Sequence, residues 1–243
     1  MKINRRKFTG HLVGAAALLA GLAPTAKATG IAFVQSANSV GTTSPSVTFG
    51  SNNTAGNLLI LVSRMTTATA HTVSDTQGNT WVSAIAFLGV PSQGNYVFWY
   101  ALNCFGGANT VTLGSANFYQ TIVAEYSGVT GVTGTPASIN INTNTTTPSV
   151  GPITPATTNN LVVAMFANED SNSTVYSSPG GGFTLRPDDG CTIIMDLIQT
   201  SATTATASLT SSVAFNEGGG IIVAFSAPGG SVTSQIGGFL VGP

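Results

Sequence analysis

This chain carries one ordered pattern twice, and that repetition limits its fold more than any other feature of the sequence. Ser44-Pro45-Ser46-Val47 returns as Thr147-Pro148-Ser149-Val150, and Asn57-Leu58-Leu59-Ile60 returns as Asn160-Leu161-Val162-Val163. Val73, Gly78 and Val82 correspond to Tyr176, Gly181 and Leu185, all at one offset of 103 residues. The offset falls to 96 where residues 110–113 meet 206–209, and ends at 100 where Ile122-Val123-Ala124 meets Ile222-Val223-Ala224. In that frame Glu125 aligns with Phe225, and Asp196 with Tyr100. A Thr-rich composition produces chance matches, but the conserved order of the three motifs favours duplication. Indels fall only where loops are expected. A period near 100 is too long for a solenoid repeat or a propeller blade.

Within each copy, β-prone runs alternate with clusters of Gly, Asn, Thr and Pro, which is the pattern of a sandwich or barrel. Residues 110–113 and 205–209 alternate polar with apolar side chains, as a strand with one wet face does. The fold class is therefore all-β: a jelly-roll-like β-sandwich built from two similar halves, residues 31–130 and 147–230, within one unit spanning 29–230. Two tandem immunoglobulin-like domains are the alternative. A length of ~200 residues suits a single all-β domain. Residues 131–147 are expected to be a linker or crossover. Residues 231–243, with Ile236 and Phe239-Leu240-Val241 after a Gly/Pro break, are expected to be a tail or an added strand.

Residues 1–28 read differently. Asn4-Arg5-Arg6-Lys7-Phe8 precedes a mildly apolar run over 12–23 and then Ala26-Lys27-Ala28. A charged start, a short apolar stretch and a small-x-small site make a signal peptide. Twelve apolar residues fall short of the ~20 that cross a bilayer. The paired arginines before Phe8, the run diluted by Gly14 and Gly21, and the lysine before the cut resemble the twin-arginine class of export signal. The resemblance implies a bacterial protein exported to the periplasm, the cell surface or the medium. In pattern, the remainder resembles secreted bacterial β-sandwich proteins.

Setting the leader aside exposes the charge of the rest. Only Arg64 and Arg186 remain, with no lysine, against Asp75, Glu125, Glu169, Asp170, Asp188, Asp189, Asp196 and Glu217, a formal charge of −6. Nucleic acid is excluded as a partner, because phosphate binding needs clustered Lys and Arg. No second apolar run reaches membrane-spanning length. Cys104 and Cys191 are an even pair in an exported chain, so a disulfide and two buried thiols are both open. One remaining histidine and two cysteines do not fill a zinc site. Calcium is the one cofactor with room, at Asp188-Asp189 or Glu169-Asp170, although neither pair has the spacing of a known calcium loop.

Catalytic material is scarce. His71 and Asp75 stand four residues apart, but Asp75-Thr76-Gln77-Gly78 reads more simply as a hairpin turn. Glu125 and Asp196 each sit inside an apolar strand, where an isolated carboxylate is costly. They are the candidate pair for a glycoside hydrolase; outward strand faces, or pairing with Arg64 or Arg186, is the plainer reading. Tyr96, Phe98 and Tyr100 share one face of a strand, with Trp99 on the other. One set is expected in the core, and the other is available to stack on a sugar. The leading expectation is a secreted, non-enzymatic structural or adhesive protein of the cell surface or extracellular space that self-associates. A carbohydrate-binding module using Trp99, Tyr96 and Tyr100 is the first alternative, and the Glu125–Asp196 hydrolase the second.

Overall fold

The computed structural model describes residues 30–229, apart from 44, 67–70, 88–93, 115–116 and 172. The expected leader and the expected tail both lie outside the described residues. The first half contains β1 (Ala32–Thr43), β2 (Ser46–Thr48), β3 (Leu58–Met65), β4 (Thr72–Asp75), β5 (Val82–Phe87), β6 (Asn95–Ala101), β7 (Thr110–Gly114) and β8 (Asn117–Ser127). The second contains β9 (Gly131–Ile141), β10 (Ser149–Ile153), β11 (Asn160–Asn168), β12 (Tyr176–Gly180), β13 (Thr184–Leu185), β14 (Thr192–Gln199), β15 (Ala205–Ser211) and β16 (Gly218–Ser226). Among the described residues no helix is long and apolar enough to cross a membrane.

The duplication is explicit in the topology. The first half forms a five-stranded sheet, β1-β8-β3-β6-β5, and a three-stranded sheet, β2-β7-β4. Adding eight to each label gives the second half: β9-β16-β11-β14-β13 and β10-β15-β12. The chain is thus an all-β sandwich of two similar halves, and each half closes a sandwich of its own. One core lies between the two sheets of the first half, around Leu59, Leu61, Val111 and Val123. Another fills the second half, around Val162, Ala164, Ile193 and Ile222. A third joins the two five-stranded sheets face to face, with Leu58, Ile60, Phe98 and Tyr126 meeting Leu161, Val163, Ile194 and Phe225. The result is four layers, with strand counts of three, five, five and three.

The strand patterns follow from this layering. β3 and β11 are buried at every position because each has a core on both faces. Such strands read as nearly continuous apolar runs. β7 and β15 belong to outer sheets with one wet face, so their burial alternates. The seam between the halves is close to two-fold. β8 faces β14 and β16 faces β6, contacts that exchange when the halves are swapped. This is the arrangement of a self-complementary dimer interface, here within one chain.

Two expectations are corrected. The second half begins at residue 131, not 147: the supposed linker is β9, the edge partner of β16. Its Gly, Thr and Pro content belongs to an edge strand, the position in a sheet where proline is tolerated. The alignment of the last strands was also one residue out. Leu58 pairs with Tyr126, and Leu161 with Phe225, which makes Tyr126 the counterpart of Phe225 at an offset of 99. Glu125 therefore corresponds to Ala224. A one-residue slip moves a side chain to the other face, so the correction puts Glu125 inside the first half and Tyr126 in the seam.

Candidate functional site

Glu125 is a buried carboxylate whose oxygens are all engaged by amide donors. It points from near the C-terminal end of β8 into the first sandwich and is fully buried. Its carboxylate accepts hydrogen bonds from Gln35 Nε2 at 2.7 Å, Asn53 Nδ2 at 2.8 Å, the Thr54 backbone N at 2.8 Å and Asn57 Nδ2 at 2.6 Å. These donors come from β1 and from the loop between β2 and β3. Neither an outward face nor an arginine partner describes this acid. It is anchored by amides, and four donors leave its oxygens no free acceptor site for a substrate proton.

Asp196 lies on the other side of the β8 sheet, in the seam. Arg186 grips it with Nε to Oδ2 at 2.7 Å and Nη2 to Oδ1 at 2.9 Å. The Tyr126 hydroxyl, from the opposite half, donates to Oδ2 at 2.9 Å. The Arg186 guanidinium also lies 4.2 Å from the ring centre of Phe33 in the first half. Burial lowers the Arg186 pKa, but its bonds to Asp196 outweigh that and hold it above the usual value. Burial first, then the Asp196 carboxylate, pushes the Tyr126 phenol far above its ordinary pKa, so it stays a donor. Glu125 and Asp196 thus face opposite sides of one sheet and share no cleft.

The second arginine does the same work at another point of the seam. Arg64, on β3, forms an ion pair with Glu169 of the second half, and both side chains are almost entirely buried. The Tyr96 hydroxyl donates to Glu169 Oε1 at 3.1 Å. Gly94, in a left-handed conformation at φ 70°, leaves room for that carboxylate. Both arginines of residues 29–243 therefore bind across the seam or beside it.

The aromatic strand is drawn inward as well. Tyr96 and Phe98 are fully buried in the seam, and Tyr100 packs edge-on to Phe225 at 5.7 Å between centroids. Trp99 faces the first sandwich and is half-buried. Tyr96, Trp99 and Tyr100 do not line up as an exposed stacking platform. What orders them is space in the partner sheet: a Cβ on Gly219 of β16 would lie 2.5 Å from the Tyr96 ring.

Asp188 and Asp189 are occupied locally. Asp188 Oδ1 accepts the Gly190 N–H, and Asp189 Oδ1 accepts those of Cys191 and Thr192. The Asp188 backbone oxygen takes a bond from Asn38 of β1, a further tie across the halves. Burial lifts Asp189 to about 6, and its second oxygen is buried without a partner among the described residues. No group of three or more His, Cys, Asp or Glu able to hold a metal ion occurs among the described residues. Cys104 and Cys191 are separate buried thiols, not a disulfide. Each donates to a backbone carbonyl, Thr54 and Asn168 respectively. Burial pushes the Cys191 thiol up to about 12, which keeps it protonated and inert.

His71 is buried with Nδ1 3.3 Å from the Gly114 carbonyl. Asp75 is a turn residue, as its sequence context indicates. It accepts from the backbone of Gln77 and Asn79 and from the Trp81 indole at 3.0 Å. Burial raises its pKa, but these bonds and those from the Asn79 and Asn109 side chains prevail and hold it below the usual value. The turn is not a hairpin, because β4 and β5 belong to different sheets. No protein-family model, curated protein or solved structure matches this chain, so its own residues must carry the argument about function.

Proposed function

We propose that this is an exported, non-catalytic β-sandwich protein that serves a structural or adhesive role at the cell surface or outside the cell, and that it associates with copies of itself. The observation that carries this reading is where the reactive side chains are spent. Arg64, Glu169, Arg186 and Asp196 tie one half to the other, and Glu125 anchors a loop, so the chemically distinctive groups act as internal fasteners. The outer sheets present hydroxyls instead. Ser46 pairs with Thr112 at 3.0 Å and Thr48 with Thr110 at 2.8 Å on one face, and Thr154 pairs with Thr204 at 2.8 Å just beyond the ends of β10 and β15 in the other outer sheet. Such uncharged, hydroxyl-bearing faces suit contact with other surfaces more than turnover of a small molecule.

The leader supports export, and the test of that part is direct. A fusion of residues 1–28 to a reporter that functions only outside the cytoplasm should be active in a host with the twin-arginine route. Arg5→Lys with Arg6→Lys should silence it; an unaffected reporter removes the twin-arginine assignment. For association, light scattering of the purified full chain at rising concentration should show a species heavier than a monomer. A monomer throughout removes the self-associating part of the reading.

A further inference from the structure

The two five-stranded sheets end in four lateral edges, and three are blunted. β13 has only two residues. β9 contains Pro136, and its register with β16 breaks between Ile222 and Ala224. β5 is short, has an irregularity between Ser83 and Ile85, and lies along β9 across the seam. These are the usual devices by which sheet edges avoid pairing with other chains.

β1 has few of them. It is twelve residues long, carries no charge and no proline, and pairs with β8 alone among the described residues. Its one irregularity, at Phe33/Gln35, lies near its start, and the register then runs unbroken from Gln35 to Gly41. Val34 and Val40 remain 43% and 55% exposed on it. Its topological equivalent in the second half is β9, the edge with the proline. The same fold therefore protects this position in one half and, among the described residues, leaves it unpaired in the other.

We propose that the free edge of β1 is where a second copy of the chain adds, antiparallel, about a two-fold axis, joining two five-stranded sheets into one of ten strands. This rests on the self-associating reading above and names its surface. Three features favour a second copy as the occupant. An antiparallel strand is self-complementary, so one edge supplies both sides of an isologous contact. A strand without charge lets two copies, each of formal charge −6 over residues 29–243, meet there without like charges directly opposed. A pairing centred on Ala37 brings Val34 of each copy beside Val40 of the other, a cross-strand apolar contact. One carboxylate stands beside the edge: Asp188, whose backbone oxygen Asn38 holds. Two copies bring two Asp188 side chains toward each other, so added salt tightens the pair.

Light scattering and sedimentation of the full chain provide the test. Val40→Lys puts a cation of each copy at the junction and should weaken the dimer by about tenfold or more. Val175→Lys, at a valine 65% exposed in the second half, is the control and should dimerise as the unaltered chain does. Circular dichroism unchanged in both variants separates lost pairing from lost folding. A Val40→Lys chain that dimerises normally overturns the proposal. So does a dimer that disappears on removing residues 230–243 but survives Val40→Lys; that result leaves self-association standing and moves it to the tail. A chain that is monomeric throughout removes both ideas together.

Discussion

The two halves solve one topological problem with different chemistry. In each, the strand after the second one must be reached by a loop that crosses from the outer sheet to the inner sheet. The first half fastens that loop, residues 49–57, to a buried carboxylate with four donors around it. The second half has Ala224 at the equivalent place, and its loop is held by neutral groups: Thr133 Oγ1 accepts the Ala156 N–H at 2.8 Å, and Thr157 donates to Asn160 at 2.7 Å. The backbone path does not require an acid. Glu125 is one local answer among others, and its burial makes the first half depend on it more than the second depends on any single polar group.

The sharpest way to break that comparison is to remove the anchors in turn. Glu125→Leu leaves four donors without their acceptor and should cost at least about 3 kcal/mol in urea unfolding. Thr133→Val, which deletes the second half's acceptor, should cost about 1 kcal/mol. Equal costs would mean that the two loops are held alike. Next in size is the seam. Gly219→Ala drives a methyl group into the Tyr96 ring and should cost about 2 kcal/mol by overpacking. Adding Tyr96→Leu should recover part of that loss, whereas two independent losses would argue that Tyr96 is not the obstacle.

Tyr126→Phe should cost about 1 to 2 kcal/mol, since it removes a buried donor to Asp196 and leaves the ring in place. A neutral result would show that Arg186 alone satisfies the carboxylate. The smallest effect concerns pH. Burial raises Asp189 to about 6 in the fold, so the folded chain holds a proton that the unfolded chain has released. Its contribution is fully present in acid, below the ordinary carboxylate pKa, and is lost as pH rises through about 6. Asp189→Asn should therefore stabilise the protein by about 1 kcal/mol at neutral pH and leave it nearly unchanged near about pH 4. Calorimetry across that range reads the difference, and a parallel shift at all pH values would assign it to packing.

The sequence was informative wherever one strand's own pattern decides the matter. Unbroken apolar runs such as Leu58–Met65 marked the inner sheets, and alternating runs such as Thr110–Gly114 marked the outer ones. The Asp196–Arg186 pair was among the readings available, as was the turn at Asp75. The four-layer arrangement was not legible, because a run buried on both faces does not reveal which sheet covers the second face. The place of Glu125 was lost for a related reason. Ile-Val-Ala occurs in both halves one residue out of structural step, and a period of two turns that step into the wrong face. Its donors Asn53 and Asn57 stand in the sequence four residues apart, just ahead of the apolar run, and that pair was the available clue.

The arginines at the seam have a consequence beyond cohesion. Proteases that cut after basic residues find only two such residues between 29 and 243. The bond after Arg186 leads into Pro187, which obstructs such enzymes. The other follows Arg64, within β3, where the neighbouring residues are buried on both faces. By confining the two cations of residues 29–243 to the interior and to one proline-guarded loop, the fold leaves an entire class of digestive enzyme nothing to grip between those positions.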